Sequence, residues 1–157
     1  MTVVELRPVV KTVDVKRSAR DAFRLFTDEI SAWWPLKTHT RAKDALGQKS
    51  VRVTIEPRVG GRVYETLHNG EQLEWGEVLA YNPGRLFSME WHMGRPTEQA
   101  TEVSVRFEAR DKSSCRVTLT HENWERMGDE AEKMRKAYEN GWVAVFEKGF
   151  ADFAGRA

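Results

Sequence analysis

The chain has 157 residues, enough for one domain that buries about 70% of the surface its unfolded form exposes, and it leaves no room for a separate cofactor domain. Its 25 basic and 24 acidic residues give a net charge of +1, so no global field draws it to nucleic acid or anionic lipid. The single cysteine, Cys115, excludes an internal disulfide and a multi-cysteine zinc site and fits a reducing compartment; in a strand-like segment it reads as a small buried hydrophobe in preference to a reactive thiol.

From the start, Met1 to Lys11 carries Glu5 and Arg7 and lacks the apolar stretch of a signal peptide. Nothing elsewhere approaches the roughly 20 apolar residues that span a bilayer. The expectation is a soluble, cytoplasmic protein without membrane insertion. Val9, Val13 and Val15 keep period two over Val9 to Lys16 and predict a first strand. Ser18, followed three residues on by Asp21, is a near capping box ahead of Phe23, Leu25 and Phe26. The short helical stretch it opens runs through Ile30 and Trp33 to Trp34, where Pro35 disfavours further helix. Residues 37–49 have neither period and form the longest loop, a rim element more than a domain boundary.

Beyond the loop the period is two. Val51, Val53 and Ile55 alternate with polar residues before Pro57 and Gly60-Gly61, and Val63, Glu65 and Leu67 alternate up to the hairpin signal Asn69-Gly70. A second pair, Leu73 to Tyr81 and Leu86 to Met93, flanks Asn82-Pro83-Gly84. Val103, Val105 and Phe107, then Cys115, Val117, Leu119 and His121, make a third pair. These strands predict an antiparallel meander. At about Gly128 the period changes once: Met134, Tyr138, Trp142, Phe146 and Phe150 recur every four residues, widened by Val145, Gly149 and Phe153. The fold class is therefore α+β in a single domain over 1–157: a curved antiparallel sheet wrapped around a long C-terminal helix, with two short helices after the first strand. Such a sheet gripping a helix is expected to leave a cavity between them.

Several local motifs lie along this order: Trp33-Trp34-Pro35 with Thr38-His39, Gly60-Gly61-Arg62-Val63-Tyr64-Glu65, Trp75-Gly76-Glu77-Val78, Pro83-Gly84-Arg85-Leu86, Trp91, Thr101-Glu102-Val103, Thr118-Leu119-Thr120-His121 and Gly141-Trp142. Together, from about Val9 to Phe153, they resemble the START-like, or SRPBCC, superfamily with its helix-grip fold, and within it the branch named after the activator of the 90-kDa heat-shock chaperone's ATPase. That superfamily includes lipid carriers, hormone receptors, polyketide cyclases, resistance proteins and chaperone regulators, so the resemblance speaks for fold and leaves function to the site. The additional chaperone-binding domain of eukaryotic activators has no counterpart in a chain of this length.

Strand parity places Glu65, Thr101 and His121 on the helix-facing side. A buried carboxylate is costly unless paired or hydrogen-bonded, which leaves two readings open: Glu65 and His121 hold a ligand's polar group or act as acid and base, or they satisfy each other or the backbone. Trp75 and Glu77 share a face by simple alternation, but Gly76 between them suggests a bulge that re-aims its neighbours. Trp91 belongs to the inner wall. Trp33, Trp34 and His39 lie where a lid over a pocket would form. Tyr138, Trp142 and Phe146 lie on the helix stripe, and the polar handles of the first two tilt them toward a pocket lining. The candidate ligand-binding set is thus Trp33, Trp34, Glu65, Trp75, Glu77, Trp91, Thr101, His121, Tyr138, Trp142 and Phe146, with Glu65 and His121 as candidate catalytic groups. The four histidines show no metal-ligand spacing, no nucleophile elbow or phosphate loop occurs, and the basic residues are scattered among acids; no metal, cofactor or nucleic acid is expected. The favoured function is a cavity that binds a hydrophobic or polycyclic small molecule, with no enzymatic signature. The alternative is an enzyme similar to the polyketide cyclases that uses a cavity acid or base, and the third is a regulator of a heat-shock chaperone ATPase. A homodimer and a chaperone partner stay open.

Overall fold

A computed structural model describes residues 6–42 and 50–156. The N-terminal segment read as lacking a signal peptide lies outside the described residues over 1–5, and the long loop over 43–49. Strand β1 (Val9–Val15) buries Val9, Val13 and Val15 and exposes Val10. The chain then enters α1 (Ala19–Thr27), where Ser18 Oγ accepts from the Asp21 backbone N–H at 3.1 Å and so satisfies one of the helix's open donors. Helix α2 (Ile30–Trp33) stops where expected: Trp34 is extended, with ψ 133°, because Pro35 crowds the helical alternative.

Six strands follow in a meander: β2 (Ser50–Ile55), β3 (Arg62–Leu67), β4 (Gln72–Asn82), β5 (Leu86–Trp91), β6 (Thr101–Asp111) and β7 (Ser114–Glu122). β1 pairs antiparallel with β7 to complete a seven-stranded sheet in the order β1-β7-β6-β5-β4-β3-β2. All neighbours are antiparallel, as the alternation predicts. One irregularity re-aims side chains. Val63 pairs with Gly76 but Tyr64 with Glu74, so Trp75 is an extra residue in β4. The bulge lets Trp75 and Val78, three positions apart, both point inward and be wholly buried, whereas simple alternation would have paired Trp75 with Glu77. Glu77 is exposed on the outer face and leaves the candidate pocket for that reason.

After a 3-10 segment (Trp124–Glu130) broken at Gly128, whose φ is 61°, the chain forms α3 (Ala131–Trp142), a π-helical stretch (Val143–Phe150) and α4 (Ala151–Ala154). The π stretch explains the strict four-residue spacing of the aromatic stripe. An α-helix has 3.6 residues per turn, so each step of four overshoots by about 40° and a long stripe would wind off the sheet. The wider i→i+5 turn absorbs that drift. Phe146 and Phe150 consequently stay aligned, their rings stacked 5.6 Å apart at 6°. Phe153, expected to widen the stripe, is 38% exposed. The helix closes against β1: the Lys16 N–H donates to the Gly155 carbonyl at 2.8 Å and Arg17 Nε to that of Ala154 at 3.1 Å.

The space between sheet and helix is not uniformly hollow. At one end Phe26 contacts Trp33, Phe87, Phe107, Phe146 and Phe150 within ring distances of 4.9–6.5 Å, and Phe23 adds Tyr81. Edge-to-face and tilted rings fill that volume. Cys115 is wholly buried beside it, and burial pushes its thiol up to about 11, so it packs and does not react.

Gly76 offers a test of the β4 bulge. A Cβ there would stand 1.7 Å from the Glu90 carbonyl oxygen, a clash with backbone that no side-chain movement relieves. Gly76→Ala is expected to destabilise the fold by about 3 kcal/mol or more in urea unfolding; a loss below about 1 kcal/mol would contradict the close approach of β4 and β5.

Candidate functional site: an aromatic cleft at one end of the grip

At the opposite end from the phenylalanine cluster the grip stays open. A cleft of about 340 Å³ is bounded by Trp34 and the turn Thr38–Thr40 on one side, by Trp91 and Met93 at the end of β5, and by Tyr138, Gly141 and Trp142 on the helix. Met134, Ala137 and Val145 complete the helical wall. Larger depressions of about 440 and 550 Å³ lie outside the grip, around α1 and the β4–β5 turn, but charged residues such as Arg20, Asp21, Arg24 and Lys112 line these solvent-facing surfaces. Of these three, the cleft inside the grip is the one walled mainly by aromatic and aliphatic side chains.

Its walls are rigid and apolar because every indole N–H is already used. Trp34 Nε1 donates to the His39 carbonyl at 2.7 Å, Trp91 Nε1 to the Tyr138 hydroxyl at 2.9 Å, and Trp142 Nε1 to His121 Nδ1 at 3.0 Å. Behind them Trp75 Nε1 donates to Glu65 at 2.6 Å, Trp33 to the Leu25 carbonyl at 3.0 Å and Trp124 to the His121 carbonyl at 2.9 Å. Trp34 touches Trp75, Trp91 and Trp142 at centroid distances of 4.9, 6.1 and 5.9 Å. With the N–H edges bonded and Trp34, Trp91 and Trp142 only 6%, 3% and 2% exposed, each ring offers the cleft a narrow strip of carbon.

His121 sits behind this wall, wholly buried. Because its Nδ1 accepts from Trp142, the proton of the neutral ring is on Nε2, which reaches Thr101 Oγ1 at 2.7 Å. Thr101 in turn donates to the Trp91 carbonyl at 3.1 Å. Burial pushes the imidazole down to about 3. Both nitrogens are engaged and the ring is neutral, so it is neither a proton acceptor for a ligand nor a cation.

Glu65, also wholly buried, is equally occupied. Its carboxylate accepts from the backbone N–H of Arg41 at 2.6 Å and of Ala42 at 3.1 Å, from Trp75 Nε1, and from Ser50 Oγ. Four donors replace the water it lost. The acid therefore ties the segment at Arg41–Ala42 and the start of β2 to the tryptophan wall. It does not touch His121: of the two readings left open by the sequence, the geometry gives internal satisfaction, by the backbone and indoles and not by each other.

Of the expected ligand-binding residues, the cleft brings together Trp34, Trp91, Tyr138 and Trp142. Trp33 and Phe146 belong to the phenylalanine cluster, because α2 presses Trp33 toward Phe26 and Phe150. Trp75, Glu65, Thr101 and His121 form the layer supporting the walls, and Glu77 faces outward. Among residues outside that set, Met134 and Val145 were marked by the helical stripe and His39 by the lid position. Met93 was marked by alternation with Trp91 in the strand expected to run to Met93, but β5 ends at Trp91 and Met93 lies beyond it with φ 51°, held by Trp75, whose carbonyl accepts from the backbone N–H of both His92 and Met93. Gly141 had a signal, a glycine in mid-helix with no turn to make.

Among the described residues no cluster of three or more His, Cys, Asp or Glu is placed to hold a metal ion, and no helix is long and apolar enough to cross a membrane. The chain matches the family described as activator of Hsp90 ATPase homolog 1-like protein over residues 16–154, and it belongs to that family. Similar solved structures include an anthrahydroquino-γ-pyrone synthase, 29% identical with a TM-score of 0.64, the match covering 95% of this chain and 99% of that one. CalC, a self-sacrificing resistance protein from Micromonospora echinospora, is 25% identical with a TM-score of 0.69 over 94% of each chain. An Hsp90 activator from Plasmodium falciparum shares the fold at 19% identity and a TM-score of 0.62, over 96% of this chain and 98% of that one. No curated protein matches the chain.

Two measurements check the supporting layer. An unfolded histidine titrates near 6.5, so between about 6.5 and about 3 the unfolded chain binds a proton that folded His121 does not. The stability this contributes is complete above about pH 6.5 and is lost as the pH falls toward 3, on the order of 4 kcal/mol over the window. Urea unfolding of the wild type against His121→Asn should show this extra acid sensitivity in the wild type alone; parallel pH profiles would refute it. Glu65→Leu leaves the indole of Trp75 and the N–H groups of Arg41 and Ala42 without their acceptor, and is expected to lower stability by about 3 kcal/mol or more; a neutral effect would mean the carboxylate is not structural.

Proposed function

We propose that the protein binds a flat, mainly apolar small molecule of two or three fused rings in the aromatic cleft. The observation that carries this reading is the wall formed by Trp34, Trp91 and Trp142, with every indole N–H turned to a protein acceptor. Each of the three rings is 2–6% exposed, so it shows the cleft a strip of ring carbon that, with Met134 and Val145, favours an apolar ring system over water, and about 340 Å³ lies at the small end of ligand pockets. The likeness to a synthase named for an anthrahydroquino-γ-pyrone supports the same ligand class.

The synthase likeness also favours a second reading, in which the cleft holds a reactive chain for ring closure. Glu65 and His121 do not supply an acid or base for it, since all their bonding positions are taken. Catalysis here would rest on orientation of the bound chain. The chaperone reading rests on the family description alone.

Gly141 makes the binding reading testable. It lines the cleft, and a Cβ built on it meets nothing within 4 Å. Gly141→Ala should therefore leave the cleft open and stabilise the helix by about 0.5–1 kcal/mol, whereas Gly141→Phe should fill it. Titrating anthraquinone sulfonate against tryptophan fluorescence should give saturable quenching for wild type and Gly141→Ala and at least tenfold weaker binding for Gly141→Phe. No saturable quenching in the wild type, or equal binding by Gly141→Phe, would refute this site.

A further inference from the structure

The helical wall carries a polar group at the cleft, and its bonding is incomplete. Tyr138 lies four residues before Trp142 and so on the same helix face, with its ring 6.4 Å from that of Trp142 and 6.2 Å from that of Trp91. The Trp91 N–H donates to the Tyr138 hydroxyl oxygen at 2.9 Å. Among the described residues no acceptor receives the hydroxyl's own proton. The other hydroxyls at the cleft are engaged: Thr38 Oγ1 with His39 Nδ1 at 2.7 Å, and Thr40 Oγ1 with the Leu36 carbonyl at 3.2 Å.

We propose that Tyr138 is the specificity-determining residue of the cleft, donating its hydroxyl proton to a carbonyl oxygen on the edge of the bound ring system. The proposal rests on the binding reading above and names the chemical class of ligand: fused rings bearing an acceptor oxygen, in preference to a plain hydrocarbon. Two features fit the hydroxyl to donate. Burial raises the phenol above its ordinary range, so it keeps its proton at neutral pH. Accepting the Trp91 bond polarises the O–H, since linked hydrogen bonds strengthen one another in a dry site. A ligand without an acceptor would leave the hydroxyl proton unbonded in the closed cleft, the penalty that makes such sites selective.

The test compares anthraquinone with anthracene, neutral probes that share ring outline and differ in the two ring carbonyls. Wild type should bind the quinone about five- to tenfold more tightly. Tyr138→Phe, which keeps the ring and the packing, should remove that preference by weakening the quinone alone, with anthracene affinity unchanged within about twofold. The carbonyl stretch of the bound quinone should fall on binding to wild type and not on binding to the variant, a shift that a merely structural tyrosine would not produce. Equal wild-type affinity for both probes, a preference that survives in Tyr138→Phe, or parallel weakening of both probes overturns the role of Tyr138 and leaves the cleft standing. Binding of neither probe by wild type overturns the binding reading and this one with it.

Discussion

Six tryptophans in a chain of this length bring six N–H donors into an interior that has almost no water to meet them. An indole left unbonded there would forfeit much of what its burial gains, so each must find an acceptor in the protein. Three backbone carbonyls serve Trp33, Trp34 and Trp124, and three side chains serve the others: Glu65 for Trp75, Tyr138 for Trp91 and His121 for Trp142. Seen this way, the two ionisable residues facing the helix are present because aromatic walls need acceptors behind them. Their bonds lock the rings in place and at the same time remove both residues from proton chemistry.

The C-terminal helix divides the grip into a filled end and an open one. Its π stretch keeps Phe146 and Phe150 aligned over the sheet, where they close the interior with Phe26 and Trp33. One turn earlier, Gly141 withholds a side chain where there is room for one. A mid-helix glycine is unfavourable by about 1 kcal/mol relative to alanine, and no close backbone contact requires it. The unfilled space beside Trp142 is the cleft itself.

Members of this fold class differ in chemistry because the fold supplies a shaped apolar recess and little else. The family of this chain is established by its match over residues 16–154, while the selectivity proposed above would reside in a few side chains at the mouth. In the proposed binding role an aromatic-walled cleft would discriminate by shape first, and a single hydrogen-bond donor would add a chemical choice that apolar contact alone cannot make.

Much of the architecture was legible in the residues. Period-two alternation marked the strands, one change of period marked the long helix, and parity placed Glu65, Thr101 and His121 inward, since those patterns follow from backbone geometry that is local. The tryptophans were visible as wall material. What the linear pattern could not decide was which walls face open space. The bulge at Trp75 inverted the facing of Glu77, the π stretch sent Phe146 into a filled core, and the same helix stripe put Tyr138 and Trp142 at a cleft four residues earlier. Whether Glu65 and His121 were free or engaged also depended on partners 10 to 24 positions away along the chain, Thr101, Trp142, Trp75, Ser50, Ala42 and Arg41. Sequence alone determined the strands, the helix and the inventory of donors and acceptors; tertiary structure decided their pairing, because a hydrogen bond is fixed by distance in space and not by separation along the chain.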